Sequence, residues 1–354
     1  MRFKKGGGLI SFITPVFYKN TNSHFFTRSL ELIEKFYNHP QIELIIADSS
    51  KNPKLKTDAK NIKIIYTYEN DKVFSPAKAK NKGAKLATKK YLLFFDVDLA
   101  YSSEFETLLF SEIKEKLESK KENFIALPFL YLTQSGTKLF EKTKDLKTLK
   151  ESFLKGENHL VESFAANGSL IVLEKEYFLR LGGYSDFYGH GGEDFELLHR
   201  IFAYNPHSIK NADYYTDFKA PFLAQARGFR YFMAYYSLPN FFKNLILLHR
   251  WHPRPLSDNF YSKRPKNENL LLNKMQEFDK LNKDSIWQSK TPLVDIKEFI
   301  KNLQINSGYP LEKNPGFFSY KKGVKPLKKP LSNKIRKLIL RPKEFFKDIK
   351  LFKR

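Results

Sequence analysis

The sequence predicts an α/β fold built on a mainly parallel sheet with helices on both faces. Three observations predict it. Short apolar strands alternate with helical segments through the first hundred residues, the pattern of repeated strand–helix–strand units. Acidic residues, Asp48, Asp96 and Asp98, stand at the ends of those apolar runs, where sheets of this kind bind their ligands. The chain has 354 residues, 42% of them hydrophobic and 16% aromatic, enough for one large α/β unit with an appendage and a packed core.

The elements follow in order. Residues 9–16 are apolar and β-branched, a first strand. Residues 25–37 place Phe26, Leu30, Ile33 and Phe36 on one helical face. Residues 42–47 form a second strand ending at Asp48-Ser49-Ser50, and residues 62–68 a third. Ser75-Pro76 has the form of a helix N-cap followed by proline at the first helical position, with helix over 77–87. Residues 91–95 are a fully apolar fourth strand that runs into Asp96-Val97-Asp98. Helix is expected over 103–119 and strand over 124–132. The polar, lysine-rich stretch 135–157 reads as a mobile excursion. A strand at 169–173 and helices at 175–181 and 193–204 follow, the last opened by Gly191-Gly192. Residues 214–248 are rich in aromatics without a clean period and are expected to wall an acceptor site. Residues 267–281 and 294–303 read as helices. No internal repeat is found.

Composition narrows the function further. There is no cysteine, which excludes disulfides and thiolate metal sites. The formal charge is +24, and residues 321–354 carry fourteen Lys or Arg against two acids, so the tail alone contributes +12. Such a tail attracts an anionic partner. Its apolar residues, Ile335, Leu338, Ile339, Phe345, Phe346, Ile349 and Phe352, lie among the basic ones, which predicts an interfacial amphipathic helix, or two broken at Pro342, on an anionic membrane surface. No apolar run approaches the roughly 18–20 residues that span a bilayer. The basic, apolar start is interrupted by Pro15 and lacks a small-residue cleavage site, so it reads as a strand and not as a signal peptide. The expected location is cytoplasmic, peripheral on the inner face of the membrane. No nucleic-acid motif is present, and no nucleic-acid partner is expected.

Two acidic clusters carry the chemistry. Asp96 and Asp98, at i and i+2 on a strand end, can point the same way and hold a hard divalent cation. Glu193-Asp194 follows two glycines at a helix start; one of the pair can take a proton, and Gly192 allows close approach by a ligand. Asp48 either contacts a base or ribose or caps its own turn. Lys80 and Asn81 lie on the helix begun at Ser75, where they can meet a diphosphate. His249 and His252, in LLHRWHPRP, are candidate metal ligands.

Together these residues resemble the GT-A glycosyltransferases. SFITPVFYK and LIIADSS resemble the family-2-type enzymes of bacterial polysaccharide synthesis. FSPAKAKNKGA, FFDVDL, NGSLIVLEKEYFLRLGGY and GHGGEDFELLHR, in that order, are similar to the β-1,4-galactosyltransferase and chondroitin-polymerase group. The likeness covers roughly residues 9–255. It implies a Rossmann-like GT-A fold and inverting transfer of a hexosyl or hexosaminyl unit from a UDP-sugar with Mn2+ or Mg2+. It implies Asp98 as direct metal ligand with Asp96 beside it, Asp194 as catalytic base with Glu193 beside it, Asn167 and Gly168 as a sugar-site turn, and His249 or His252 as a further metal ligand. Pro76, His190 and Phe195 depart from an arginine, a tryptophan and an acid of the group, so the donor class carries over better than the acceptor. The tail resembles terminal segments of capsule-assembly transferases.

The resulting expectation is a GT-A catalytic domain at 1–260, a helical extension at 261–320 and a basic membrane-associating tail at 321–354. Its activity would extend a bacterial capsular polysaccharide. Nucleotidyl transfer onto sugar phosphates and a non-catalytic role in binding anionic polymer are the alternatives.

Overall fold

The computed structural model describes residues 9–70, 73–166, 170–205, 208–253, 259–283, 287 and 295–327, together with Ile335, Leu338, Ile339, Pro342, Phe345 and Phe346 of the tail. The chain runs β1 (Ile10–Val16), α1 (His24–Phe36), β2 (Ile42–Asp48), β3 (Ile62–Tyr66), α2 (Pro76–Leu86), β4 (Tyr91–Phe94) and β5 (Leu99–Ala100). It continues through α3 (Phe105–Glu112), which runs into a π-helical turn, then β6 (Phe124–Ala126), β7 (Phe129–Leu132), α4 (Gln134–Thr143), α5 (Leu146–Leu154), β8 (Val161–Ala165), β9 (Ile171–Glu174), α6 (Lys175–Arg180) and α7 (Glu193–Ala203). The last elements are β10 (Asp217–Phe218), β11 (Arg227–Gly228), α8 (Phe229–Phe242), β12 (Leu247–His249), α9 (Asn259–Ser262), α10 (Arg264–Leu281) and α11 (Ile296–Asn306).

Six strands form the central sheet in the order β3-β2-β1-β4-β9-β6. The first four are parallel, and β9 is antiparallel to both β4 and β6. Every residue of β1 and β2 is buried, as befits strands covered on both faces. Alternation sends Phe12 and Leu44 to one apolar cluster, with α1 and α3, and Ile13 and Ile45 to another, with α2, α6 and α7. Gly83 lets α2 lie close on β1: a Cβ there would stand 2.6 Å from Ile13 Cγ2.

A second sheet, β5-β12-β7-β8, encloses a third cluster and sits beside the acidic end of β4. It corrects the single strand expected over 124–132. That stretch divides at Pro128, which has no N–H for a ladder, so β6 stays in the central sheet and β7 enters the second. The excursion expected over 135–157 is two helices. Thr133 caps α4 and Asp145 caps α5, and Phe140, Leu149 and Phe153 are buried in the third cluster. Alternating lysines had masked that apolar face. The aperiodic stretch 214–248 contains the β10–β11 ribbon, α8 and β12. Helix α8 shows no amphipathic period because two cores claim it: Phe229, Phe232 and Met233 in one, Ala234, Leu238 and Phe241 in the other. Among the described residues, no helix is long and apolar enough to cross a membrane.

Candidate functional site

After β4 one further ladder bond forms, from Phe95 N–H to Ile13 O at 2.9 Å. The chain then turns, and Leu99 N–H donates to Asp96 O at 3.0 Å. Because residues 96–99 close a turn, the strand's alternation no longer applies. The two carboxylates share a cavity but face different neighbours. Asp96 faces Lys80, Glu193 and Asp194, on whose charges it acts. Asp98 faces α1, where Arg28 Nη1 pairs with its Oδ1, while its Oδ2 lies 3.4 Å from His252 Nε2.

Strand pairing carries His252 to that place. Strand β12 runs antiparallel to β5 with His249 opposite Leu99, and Arg250 N–H donates to Asp98 O at 2.9 Å. The Arg250 guanidinium bonds Glu31 Oε2 at 2.5 Å and Val97 O at 3.3 Å, which ties the acidic turn to α1. His249 lines the same cavity with its ring centroid 4.8 Å from that of Tyr131 and 5.6 Å from that of His252. His24, the first residue of α1, joins the group. Ligand atoms of His24, Asp98 and His252 all lie within 4.8 Å of one another, the one such three-residue convergence among the described residues. Burial pushes the His24 imidazole down to about 4, outweighing the opposing pull of Asp98, so it is neutral near pH 7. Its Nε2 is enclosed without a hydrogen-bond partner. Burial works to raise the Asp98 carboxyl, but His252, His249 and Arg28 together hold it below the usual carboxylate range.

The second acidic cluster stands at the start of α7. Gly192, its N-cap, has φ 108°, and a Cβ there would lie 2.5 Å from Phe187 Cε1, so both backbone and space demand glycine. The loop before it is pinned on two sides. Gly189 N–H donates to Phe74 O and His190 N–H to Phe260 O, each at 2.9 Å. Ser75 Oγ donates to Phe187 O at 2.5 Å, and the Asn267 amide of α10 donates to Tyr188 O at 3.0 Å and His190 O at 3.2 Å. Glu193 and Asp194 then occupy the first helical turn, where the helix dipole favours negative charge.

Lys80 rises from α2 beneath this pair, its side chain 1% exposed, with Nζ 2.8 Å from Asp194 Oδ1 and 3.9 Å from Glu193 Oε1. Burial alone would lower the lysine, but Asp194, Asp96 and Glu193 outweigh it and hold the ammonium charged. Burial, then the charge of Asp194, pushes Glu193 up. Burial raises Asp194 as well, and the closer contact with Lys80 opposes that rise. The proton is thus favoured on Glu193 and the negative charge on Asp194.

Both clusters open on one cavity of 770 Å3, within the roughly 300–1,000 Å3 typical of small-ligand sites. It brings together Asp96, Asp98, Glu193, Asp194, His249 and His252. Of the other sequence candidates, Asp48 and Asn81 do not line it. Asp48 ends β2 as expected, but its buried carboxylate accepts from Tyr18 OH and Ser50 N–H, each at 2.8 Å, so it caps the turn. The Asn81 amide bonds Tyr184 N–H and O, each at 2.9 Å, and holds the Gly182-Gly183 turn. Lys80 lines the cavity, but its ammonium is committed to Asp194. Asn167 and Gly168 lie outside the described residues. The sequence reading missed His24, Arg28 and Asn267. A signal existed for the first two, since they stand at i and i+4 on one helix face; none existed for Asn267.

The α/β fold thus gathers acids from a strand end and from a helix start around one cavity. The sequence profile of the glycosyltransferase-like family 2 matches residues 11–277, and the chain belongs to that family. The mixed α/β architecture with its mostly parallel central sheet is GT-A-like, in keeping with that family. That membership favours glycosyl transfer over nucleotidyl transfer or passive polymer binding. Among solved structures, the crystal structure of S. aureus TarS residues 1–349 matches with 14% identity and a TM-score of 0.36, over 55% of this chain and 55% of that one. No protein of curated function matches the chain.

Proposed function

We propose that the protein is an inverting, metal-assisted glycosyltransferase that moves a hexosyl or hexosaminyl unit from a UDP-sugar to a hydroxyl of a growing bacterial capsular polysaccharide. The observation that carries the reading is the ion pair of Asp194 with buried Lys80, in the same cavity as Asp98 and His252. The donor class and the capsular acceptor rest on the motif resemblance, and the family supports glycosyl transfer.

The residues present suit a divalent cation. One carboxylate and neutral imidazole converge, and His24 Nε2 is enclosed without a partner. Asp98 and His252 would hold it, and when bound it would neutralise charge on the leaving diphosphate. The protein's own groups do the rest. Arg28 and Arg250 fix the Asp98 turn. Asp194 takes the proton of the acceptor hydroxyl as that oxygen attacks the anomeric carbon, and Lys80 keeps Asp194 ionised until then. Phe17, Phe74 and Phe260, stacked in sequence with centroids 5.7 Å apart, offer a flat apolar wall for the nucleobase or a sugar ring.

Residues 1–260 are assigned to catalysis and 261–320 to a helical extension whose Asn267 reaches back to the glycine loop. Residues 321–354 are assigned to the anionic membrane surface. Ile335, Leu338, Ile339 and Phe346 are exposed in the described part of that tail.

The test is UDP release from a panel of UDP-sugars with and without Mn2+, with the anomeric configuration of the product read by NMR. Divalent-dependent UDP release with inversion is expected. Retention of configuration, or full turnover in chelator, refutes the mechanism.

A further inference from the structure

We propose that His24 is itself a ligand of the divalent cation, so that the site is an Asp–His–His set drawn from three separate elements and selects Mn2+ over Mg2+. This rests on the metal-assisted reading above and adds to it a residue and a selectivity.

Helix α1 delivers two side chains to one carboxylate. His24 and Arg28 lie one turn apart on the same face. Arg28 takes Asp98 Oδ1 and also donates to Trp251 O at 2.8 Å, which leaves Asp98 Oδ2 directed at the imidazoles. The rings of His24 and His252 stack with centroids 4.8 Å apart and planes 21° apart. Two imidazoles stacked this closely are held by something other than mutual hydrogen bonding, and His24 Nε2 has no hydrogen-bond partner of any kind while enclosed from solvent. Leaving such an atom unpaired is unfavourable, and a coordinated cation removes that cost. The ring is anchored independently of the site, since it packs on Phe25 with centroids 3.9 Å apart at the N-terminus of a helix whose Ser23 cap accepts from Phe25 N–H.

The donor chemistry sets the selectivity. Mg2+ favours oxygen and keeps several waters, whereas imidazole suits first-row transition metals, with affinity rising from Mn2+ onward. A site with two imidazoles and one carboxylate therefore disfavours Mg2+. His249, whose ring lies against Tyr131, stays outside this set.

The full-length protein is titrated with Mn2+ in saturating UDP. Free Mn2+ is followed by its EPR signal, and coordinated imidazole by 14N modulation in pulsed EPR. The wild type is expected to bind one Mn2+ with modulation from two imidazoles, and Mg2+ should displace it only at large excess. His24→Gln should lose one imidazole from the modulation and weaken Mn2+ at least about tenfold, with the thermal melt near that of the wild type. His24→Glu should restore binding and narrow the Mn2+/Mg2+ preference, because it substitutes a hard oxygen donor. Unchanged modulation and affinity in His24→Gln, with binding lost in Asp98→Asn, would overturn the His24 assignment and leave the proposed function standing. Absence of Mn2+ binding by the wild type would overturn both.

Discussion

Replacing Lys80 with methionine tests the charge arrangement around Asp194, the proposed base. The ammonium is buried, 2.8 Å from Asp194 Oδ1 and 3.9 Å from Glu193 Oε1. At 2.8 Å the gross attraction is about 6 kcal/mol with an effective dielectric of about 20. Removing one partner of a buried pair typically costs about 3–5 kcal/mol. Asp194 can limit that cost by taking up a proton. For a carboxyl with an ordinary value near 3.9, protonation costs about 4 kcal/mol at pH 7 and about 2 kcal/mol at pH 5.5, at about 1.4 kcal/mol per unit. The folded variant then holds a proton that the unfolded chain lacks. Its deficit relative to the wild type grows as pH rises from the ordinary carboxyl range and shrinks as pH falls. Urea denaturation at both pH values should show a loss of about 3–4 kcal/mol near neutrality and about 2 kcal/mol at the lower pH. Turnover should fall at neutral pH and recover toward alkaline pH, where Asp194 ionises again. A deficit equal at both pH values, or an unchanged neutral kcat, would refute the arrangement.

Other perturbations separate the remaining roles. Asp194→Asn should depress kcat by two or more orders of magnitude, on the order expected for loss of a general base, while UDP affinity measured by calorimetry holds; collapse of affinity with kcat intact would make Asp194 a binding residue. Gly192→Ala should destabilise the fold by about 2–4 kcal/mol, through positive-φ strain and the clash with Phe187, and a melt within error of the wild type would contradict the loop geometry. Removing residues 331–354 should release the protein from anionic liposomes yet preserve transfer to a soluble acceptor, since basic residues near such a surface contribute about 1 kcal/mol each; equal sedimentation with and without them would refute the anchor.

The sequence by itself determined the scaffold and where the two acidic clusters stand along it. Strands β1, β2 and β4 lie where largely apolar runs placed them, because a sheet covered on both faces leaves little polar alternation to misread. The Ser75-Pro76 start of α2 and the glycine start of α7 were equally legible, since capping and positive φ are local requirements. Helices α4, α5 and α8 were not, because lysines masked the first two and burial on two sides erased the period of the third. Tertiary structure alone decided the partners. Pairing of β12 with β5 laid His252 against Asp98. The turn at 96–99 set Asp96 toward Lys80 and Asp194, and Asp98 toward α1. The crossing of α2 under α7 put Lys80 against Asp194, and α1 brought His24 into the group. These are contacts between elements remote in the chain. Local propensity and spacing carry no record of them, since they arise only when strand order and helix packing bring distant side chains to one cavity.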